Sequence, residues 1–277
     1  MKTVMLPSAE AVPALGMGTW RMGEAPGLRA QEIATLRLGL DLGASLIDTA
    51  EMYGEGLAEE LVGEALQGRR EQAFVVSKVY PHNASAAGVA AACERSLRRL
   101  KTDRIDLYLL HWRGSVPLAE TLAGLAALQQ AGKIRHYGVS NLDMADMREL
   151  WALPDGHGVQ TNQLLYNLSR RGIEWDLLPW MRERRMPVMA YSPMEQARLL
   201  RHPGLVSFAK RHGMLASQAA LAWLLGQGDV IAIPKTSDSQ RLRENVSAAD
   251  IVVDAAQLAE LDALFAPPRG PVPLEMI

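Results

Sequence analysis

A disulfide framework is excluded at the outset, because the chain has one cysteine, Cys93. Nor is there a run of 18 apolar residues, so a membrane helix is not expected. The opening `MKTVMLPSAEAVP` has no apolar core of the kind a secretory signal needs. Charge of either sign is not in excess: 29 basic and 31 acidic residues are mixed along the chain, leaving a net charge of -2. Without a basic stripe, nucleic acid and membrane surfaces are poor partners. His82, His136, His157, His202 and His212 show no paired-ligand spacing, so with a lone thiol no metal site is expected. No Gly- or Ser-rich linker divides the chain. A single cytoplasmic, monomeric domain spanning 1–277 is the expectation.

What is present is a regular alternation. Eight short apolar, β-rich runs recur: `ALGMGT`, `ASLID`, `AFVVSK`, `DLYLLH`, `HYGVS`, `VQTNQ`, `PVMAYS` and `VIAIP`. Segments of helical spacing lie between them. Ile33, Leu36 and Leu40 share one face, as do Leu57, Leu61 and Ala65, and then Val89, Cys93, Leu97 and Leu100. `LAETLAGLAALQQAGK` ends in Gly132, where a helix C-cap belongs. Strands that alternate with helices this way form parallel β/α units. Eight units in about 250 residues predict a closed α/β barrel, the (β/α)₈ or TIM barrel. `VMLPSAEAVP` reads as an N-terminal hairpin at the barrel floor. An extra C-terminal helix near Asp254–Phe265 is followed by a Pro-rich tail expected to run over the surface.

In such a barrel the C-terminal strand ends converge on one mouth. Those ends carry Thr19 and Trp20, Asp48, Lys78, His111, Ser140 and Asn141, Gln163, Tyr191 and Ser192, and Lys235 and Thr236. Any one of them alone reads as a helix cap or a surface group. A carboxylate, an ammonium and an imidazole on three consecutive strand ends, with Tyr53 in the first connecting loop, read as an acid–base set. An ammonium ~4 Å from a phenol at an effective dielectric near 20 is worth roughly 4 kcal/mol, which lowers the phenol pKa by about three units before burial takes some of it back. A phenol so placed is a general acid worth about 10² to 10⁴ in rate. The set contains no reductant or nucleophile of its own, which points to a cofactor.

The strings `GMGTW`, `IDTAEMYG`, `VVSKV`, `DLYLLHW`, `YGVSN`, `TNQ`, `AYSP` and `IPKT......EN` resemble, in order and over nearly the whole chain, the aldo-keto reductase superfamily, most closely its compact bacterial, methylglyoxal-reductase-like members. The resemblance implies NADPH-dependent reduction of small aldehydes and ketones by hydride transfer. It implies a catalytic tetrad of Asp48, Tyr53, Lys78 and His111, with Tyr53 as acid. For NADP(H), it implies that Tyr191 stacks on the nicotinamide and that Ser140, Asn141 and Gln163 hold the carboxamide. Ser192, Pro193 and Met194 would follow the pyrophosphate, and Gly18, Thr19 and Trp20 would also contact the cofactor. Lys235, Thr236, Ser237 and Arg241 would clasp the 2′-phosphate, with Glu244 and Asn245 at adenine. Trp20, Tyr80 and Trp112 would wall the substrate pocket. The short loop `WRGSVP` after His111 suits small substrates such as methylglyoxal.

The sequence departs from that pattern in three places. Tyr80 replaces a frequent tryptophan, Ala197 a frequent glycine, and Glu195 brings a negative charge beside the pyrophosphate strand end.

Other readings remain. `GMGTWR` lacks the third glycine of a dinucleotide fingerprint, having Arg21 there. Lys78 as a Schiff-base lysine would make the barrel an aldolase. A nucleotide-sensing or structural binding protein on the same barrel is the alternative outside enzymes. Arg98, Arg99, Lys101 and Arg104 read as a solvated helix end.

Overall fold

The chain opens with an antiparallel hairpin, β1 (Thr3–Met5) and β2 (Ala11–Pro13), in a computed structural model that describes residues 1–277. Eight parallel strands follow at the eight apolar runs. They are β3 (Met17–Gly18), β4 (Leu46–Asp48), β5 (Phe74–Val79), β6 (Ile105–Leu110), β7 (Ile134–Ser140), β8 (Val159–Leu165), β9 (Val188–Tyr191) and β10 (Val230–Ala232). They neighbour one another in chain order. Parallel bridges Leu15–Ala232 and Gly18–Lys235 join the last strand to the first and close the barrel. Gly18 sits at that seam, where an added Cβ would lie 2.9 Å from the Ile233 carbonyl oxygen.

Helices α1 (Arg29–Asp41), α2 (Leu57–Ala65), α3 (Ala86–Leu100), α4 (Leu118–Gln130), α5 (Met144–Trp151) and α6 (Leu177–Glu183) each follow one strand. Two, α7 (Pro203–Arg211) and α8 (Ala216–Leu225), follow β9, and α9 (Ser239–Ser247) follows β10. The extra helix α10 (Ala255–Leu264) is capped by Asp254. No helix is long and apolar enough to cross a membrane.

Strands covered on both faces need apolar residues on both, which is why β4, β5 and β6 are buried throughout. Outward side chains meet the helices, and Val89, Cys93, Leu97 and Leu100 of α3 are all buried there. Cys93 is therefore core, its thiol pKa pushed up to about 12 chiefly by burial. Inward side chains form a second cluster of 12 residues, which Val4, Leu6, Val12 and Ala14 join from the hairpin. The hairpin thus packs its apolar face into the barrel floor, and Ser8 N–H ties its turn to Gln160 at the start of β8 (2.8 Å).

The tail runs over the surface, with no residue of 266–277 buried, and is tied down there. Val272 packs over Gly172, and Glu275 pairs with Arg170. That ion pair, between residues distant in sequence, holds the tail against the segment that follows β8. The basic run is also less free than its composition suggests. Lys101 is the left-handed C-cap of α3 (φ 54°), Arg104 pairs with Glu71, and Arg99 reaches buried Glu59 at 3.1 Å.

Candidate active site

Strand register explains how three residues far apart in sequence meet. Asp48 on β4 pairs with Val76 on β5, so Lys78, two residues on, shares the inward face one layer nearer the mouth. Its ammonium lies 2.8 Å from the Asp48 carboxylate, 2.8 Å from the Thr49 carbonyl oxygen and 3.1 Å from the Tyr53 hydroxyl. All three N–H bonds are therefore committed, and Lys78 is fully buried. Desolvation opposes its charge, but Asp48 and Tyr53 outweigh it and raise the lysine pKa above its ordinary value. A lysine held this firmly as an ammonium is a poor Schiff-base nucleophile, which removes the aldolase reading.

Tyr53 begins a short 3₁₀ turn, Tyr53–Gly56, between β4 and α2, in which Gly54, Glu55 and Gly56 are all left-handed. Gly56 has φ 99°, and a Cβ there would strike the Arg99 guanidinium at 2.3 Å. Lys78 lowers the Tyr53 pKa, as expected, but does not set its net direction. Burial is the largest effect and Asp48 adds to it; together they outweigh Lys78, so the phenol pKa is raised. The ammonium offsets only part of the desolvation that comes with the same deep position.

His111 follows β6, with its ring edge-on to Tyr53 (centroids 5.8 Å apart) and against Trp112 (4.8 Å). Burial, helped by Lys78, pushes its pKa down to about 2, so the ring is neutral. Its Nδ1 is buried without a partner. A proton there would be a stranded donor, so the better neutral tautomer carries it on Nε2, facing the cleft.

Tyr80 stands edge-on to Trp112, with centroids 5.8 Å apart, and Trp20 is 40% exposed under the Arg21 guanidinium. Sequence reasoning missed what holds Tyr80. Buried Glu51 accepts from the Tyr80 N–H (2.9 Å) and Asn83 Nδ2 (3.0 Å), and pairs with Arg95 (3.1 Å). Its place between Asp48 and Tyr53, in the short loop after β4, was the clue available.

The polar ends of β7, β8 and β9 form one chain of hydrogen bonds. The Tyr191 hydroxyl donates to Asn141 Oδ1 (3.0 Å), and Asn141 Nδ2 donates to Ser140 Oγ (3.0 Å) and the His111 carbonyl oxygen (3.1 Å). Gln163 Nε2 donates to Asp48 Oδ1 (2.8 Å), which ties this cluster to the tetrad. Thr19 is fully buried, and its hydroxyl donates to the Asp48 carbonyl oxygen (2.9 Å), so its side chain braces β4 rather than lining the cleft.

Beyond Tyr191 the backbone is strained: Ser192, Glu195, Gln196 and Ala197 all have positive φ, between 47° and 68°. Pro193 and Met194 lie between them, buried and half-buried. Glu195, expected to repel a pyrophosphate, is instead neutralised. Arg170 binds it through Nε (3.0 Å) and Nη2 (2.9 Å), Arg198 at 3.0 Å and Asn167 Nδ2 at 2.8 Å. Burial opposes its charge, but these donors win and hold its pKa below the ordinary carboxylate value.

Past β10, Lys235 Nζ donates to Ser237 Oγ (2.9 Å), Thr236 Oγ1 accepts from the Asp238 N–H (3.1 Å), and Asp238 caps α9 just before Arg241. Glu244 and buried Asn245 follow on α9. One rim thus carries the tetrad, a polar cluster beside a tyrosine face, and a loop with two cations.

Comparison with known proteins shows the family. The model of the aldo/keto reductase family matches residues 14–266. The chain is 49% identical to methylglyoxal reductase YeaE of Escherichia coli, over 100% of this chain and 99% of that one. Glyoxal reductase of Bacillus subtilis is 32% identical, over 99% of this chain and 97% of its own. Among solved structures, an aldo-keto reductase from Klebsiella pneumoniae in complex with NADPH superposes with a TM-score of 0.97 at 49% identity, covering 100% of this chain and 99% of that one.

Proposed function

The chain belongs to the aldo/keto reductase family, and from that premise we propose that it reduces small aldehydes and ketones, α-dicarbonyls such as methylglyoxal among them, to alcohols with NADPH. The observation that carries this reading is the Lys78 ammonium, 3.1 Å from the Tyr53 hydroxyl with its other two N–H bonds anchored on Asp48 and Thr49.

The residues suit the cofactor. Tyr191 offers a ring held by its hydroxyl, Ser140, Asn141 and Gln163 offer amide and hydroxyl groups beside it, and Lys235 and Arg241 supply positive charge at the far end. Ser192, Pro193 and Met194 lie between these ends, along the pyrophosphate path. Bound there, NADPH supplies the hydride that the side chains lack.

The chain's own groups then handle the proton. Tyr53, with its raised pKa, is protonated at neutral pH and gives its proton to the carbonyl oxygen as negative charge develops there. An alkoxide is a far stronger base than a phenolate, so the transfer runs downhill even from a raised pKa. Lys78 stabilises the phenolate left behind, and Asp48 keeps Lys78 charged and aimed. Neutral His111, donating from Nε2, orients the carbonyl oxygen. Trp20, Tyr80 and Trp112 form an aromatic wall that favours compact substrates. We take the enzyme to act as a one-domain, cytoplasmic monomer.

The test is NADPH consumption at 340 nm with a panel of small aldehydes and α-dicarbonyls. Wild-type turnover is expected, and Tyr53→Phe is expected to lower kcat by about 10² to 10⁴ with NADPH affinity little changed. Undiminished turnover by that variant would remove the mechanism. Tight NADPH binding with no carbonyl reduced would favour a binding protein.

A further inference from the structure

We propose that Glu32 is a cofactor-specificity residue: through Ser237 it acts as the internal counterion of Lys235 and holds down the preference for a cofactor bearing a 2′-phosphate. This rests on the reading that Lys235, Thr236, Ser237 and Arg241 clasp that phosphate. Glu32 lies on α1, some 200 residues away in sequence, and no motif points to it.

Its side chain is only 1% exposed. One oxygen accepts from the Gly23 N–H (2.9 Å) and the other from the Ser237 hydroxyl (3.0 Å). Ser237 has a single hydroxyl proton. With that proton on Glu32, its oxygen serves as the acceptor for Lys235 Nζ at 2.9 Å. A relay therefore runs from ammonium to hydroxyl to carboxylate. The relay is braced, because Gln31 Nε2 of the same helix donates to the Ser237 carbonyl oxygen at 2.6 Å. Partial burial lowers the Lys235 pKa, and Glu32 is the carboxylate that opposes this most, ahead of Glu24.

The charge around the loop is balanced. Lys235 and Arg241, with Arg21 near Lys235, are positive; Glu32, Glu24 and Asp238 are negative, and Asp238 already takes the Gln240 and Arg241 N–H groups at 2.8 and 2.9 Å. Glu24 and Asp238 are exposed, as are Lys235 and Arg241, whereas Glu32 is buried and fixed in place by Gly23 and Ser237. An incoming phosphate dianion therefore meets cations already partly compensated by one carboxylate held at a fixed place beneath the loop. A ribose 2′-hydroxyl is neutral and is indifferent to it. Glu32 also ties this loop to Gly23 (φ 81°), three residues from Trp20, so the phosphate clasp and the substrate wall share one anchor.

The experiment titrates NADPH and NADH against wild type and Glu32→Gln by calorimetry at two salt concentrations. Glutamine removes the charge while keeping an acceptor for Gly23, and its amide N–H can donate to the Ser237 oxygen in place of the bond it received. The expected result is NADPH binding tightened by about three- to tenfold, NADH changed by less than about twofold, and a steeper salt dependence for NADPH. An unchanged or reduced NADPH-to-NADH affinity ratio overturns the proposal. So does equal weakening of both nucleotides, which would make Glu32 a brace alone. If Glu32→Gln does not fold, Glu32→Asp, which withdraws the charge from Ser237 by one methylene, should raise the ratio by about twofold, and no rise overturns the proposal. Failure of wild type to bind either nucleotide would remove the underlying cofactor reading instead, and this one with it.

Discussion

Ser77 and Lys78 are neighbours on β5, and each ends in a buried charge cluster, on opposite faces of the barrel wall. Inward, Lys78 meets Asp48 and Tyr53; outward, the Ser77 hydroxyl donates to Glu59 of α2 at 2.6 Å, and Arg99 of α3 closes that cluster. Glu59 and Lys78 are equally buried. Burial of charge therefore does not mark a functional site. The clusters differ in what remains available. Glu59 is enclosed between helices with both oxygens occupied, and burial still raises its pKa despite its donors. The inward cluster ends in a hydroxyl that keeps its own proton, beside the open cleft.

Three substitutions would break or sharpen this contrast, the largest effect first. Lys78→Met leaves the Asp48 carboxylate inside the barrel without its counterion. It should cost about 3–5 kcal/mol in urea unfolding and lower kcat by at least about 10². Retained activity would mean that the inward cluster is no more catalytic than the outward one. Glu59→Ala strips the outward cluster of its acceptor. A loss of about 1–3 kcal/mol is expected, since Arg99 can rehydrate but Ser77 cannot, with kcat/KM within about twofold of wild type. A large fall in kcat/KM at temperatures where the variant is folded would erase the distinction drawn here.

His111→Phe probes the cleft-side group that is buried without charge. The folded pKa is depressed to about 2, so as pH falls below about 6.5 the unfolded chain takes up the proton first. The stability this neutral ring contributes is complete above about pH 6.5 and declines as pH falls. The decline is at most about 1.4 kcal/mol per pH unit. The variant should show a shallower fall in unfolding free energy between pH 7 and 5. Parallel profiles would mean that His111 titrates normally.

The contrast also explains what was legible beforehand. Asp48, Lys78 and His111 could be read as a set because strand ends converge in a barrel, and the eight apolar runs each marked a strand. The hairpin, α10 and the core position of Cys93 were legible for the same reason. Glu59 and Arg99 were not: their periodicities place them on helices, but nothing local says that a guanidinium in a basic run turns inward. The surface course of the tail was legible in its Pro-rich composition, but that composition says nothing of the Arg170–Glu275 pair that ties it down. Tyr53 was given the wrong pKa direction, since the cation beside it was foreseeable while the depth of its burial was not.

By itself, then, the sequence determined the alternation of strands and helices, the rim on which polar side chains gather, and which residues form the candidate acid–base set. Those follow from side-chain period and strand direction, which are local properties of the chain. Only the tertiary structure decided the Lys78 contacts, the protonation of Tyr53 and His111, the neutralisation of Glu195 and the reach of Glu32 to Ser237. Each depends on desolvation and on distances between residues remote in sequence, and these take definite values only once the barrel has closed.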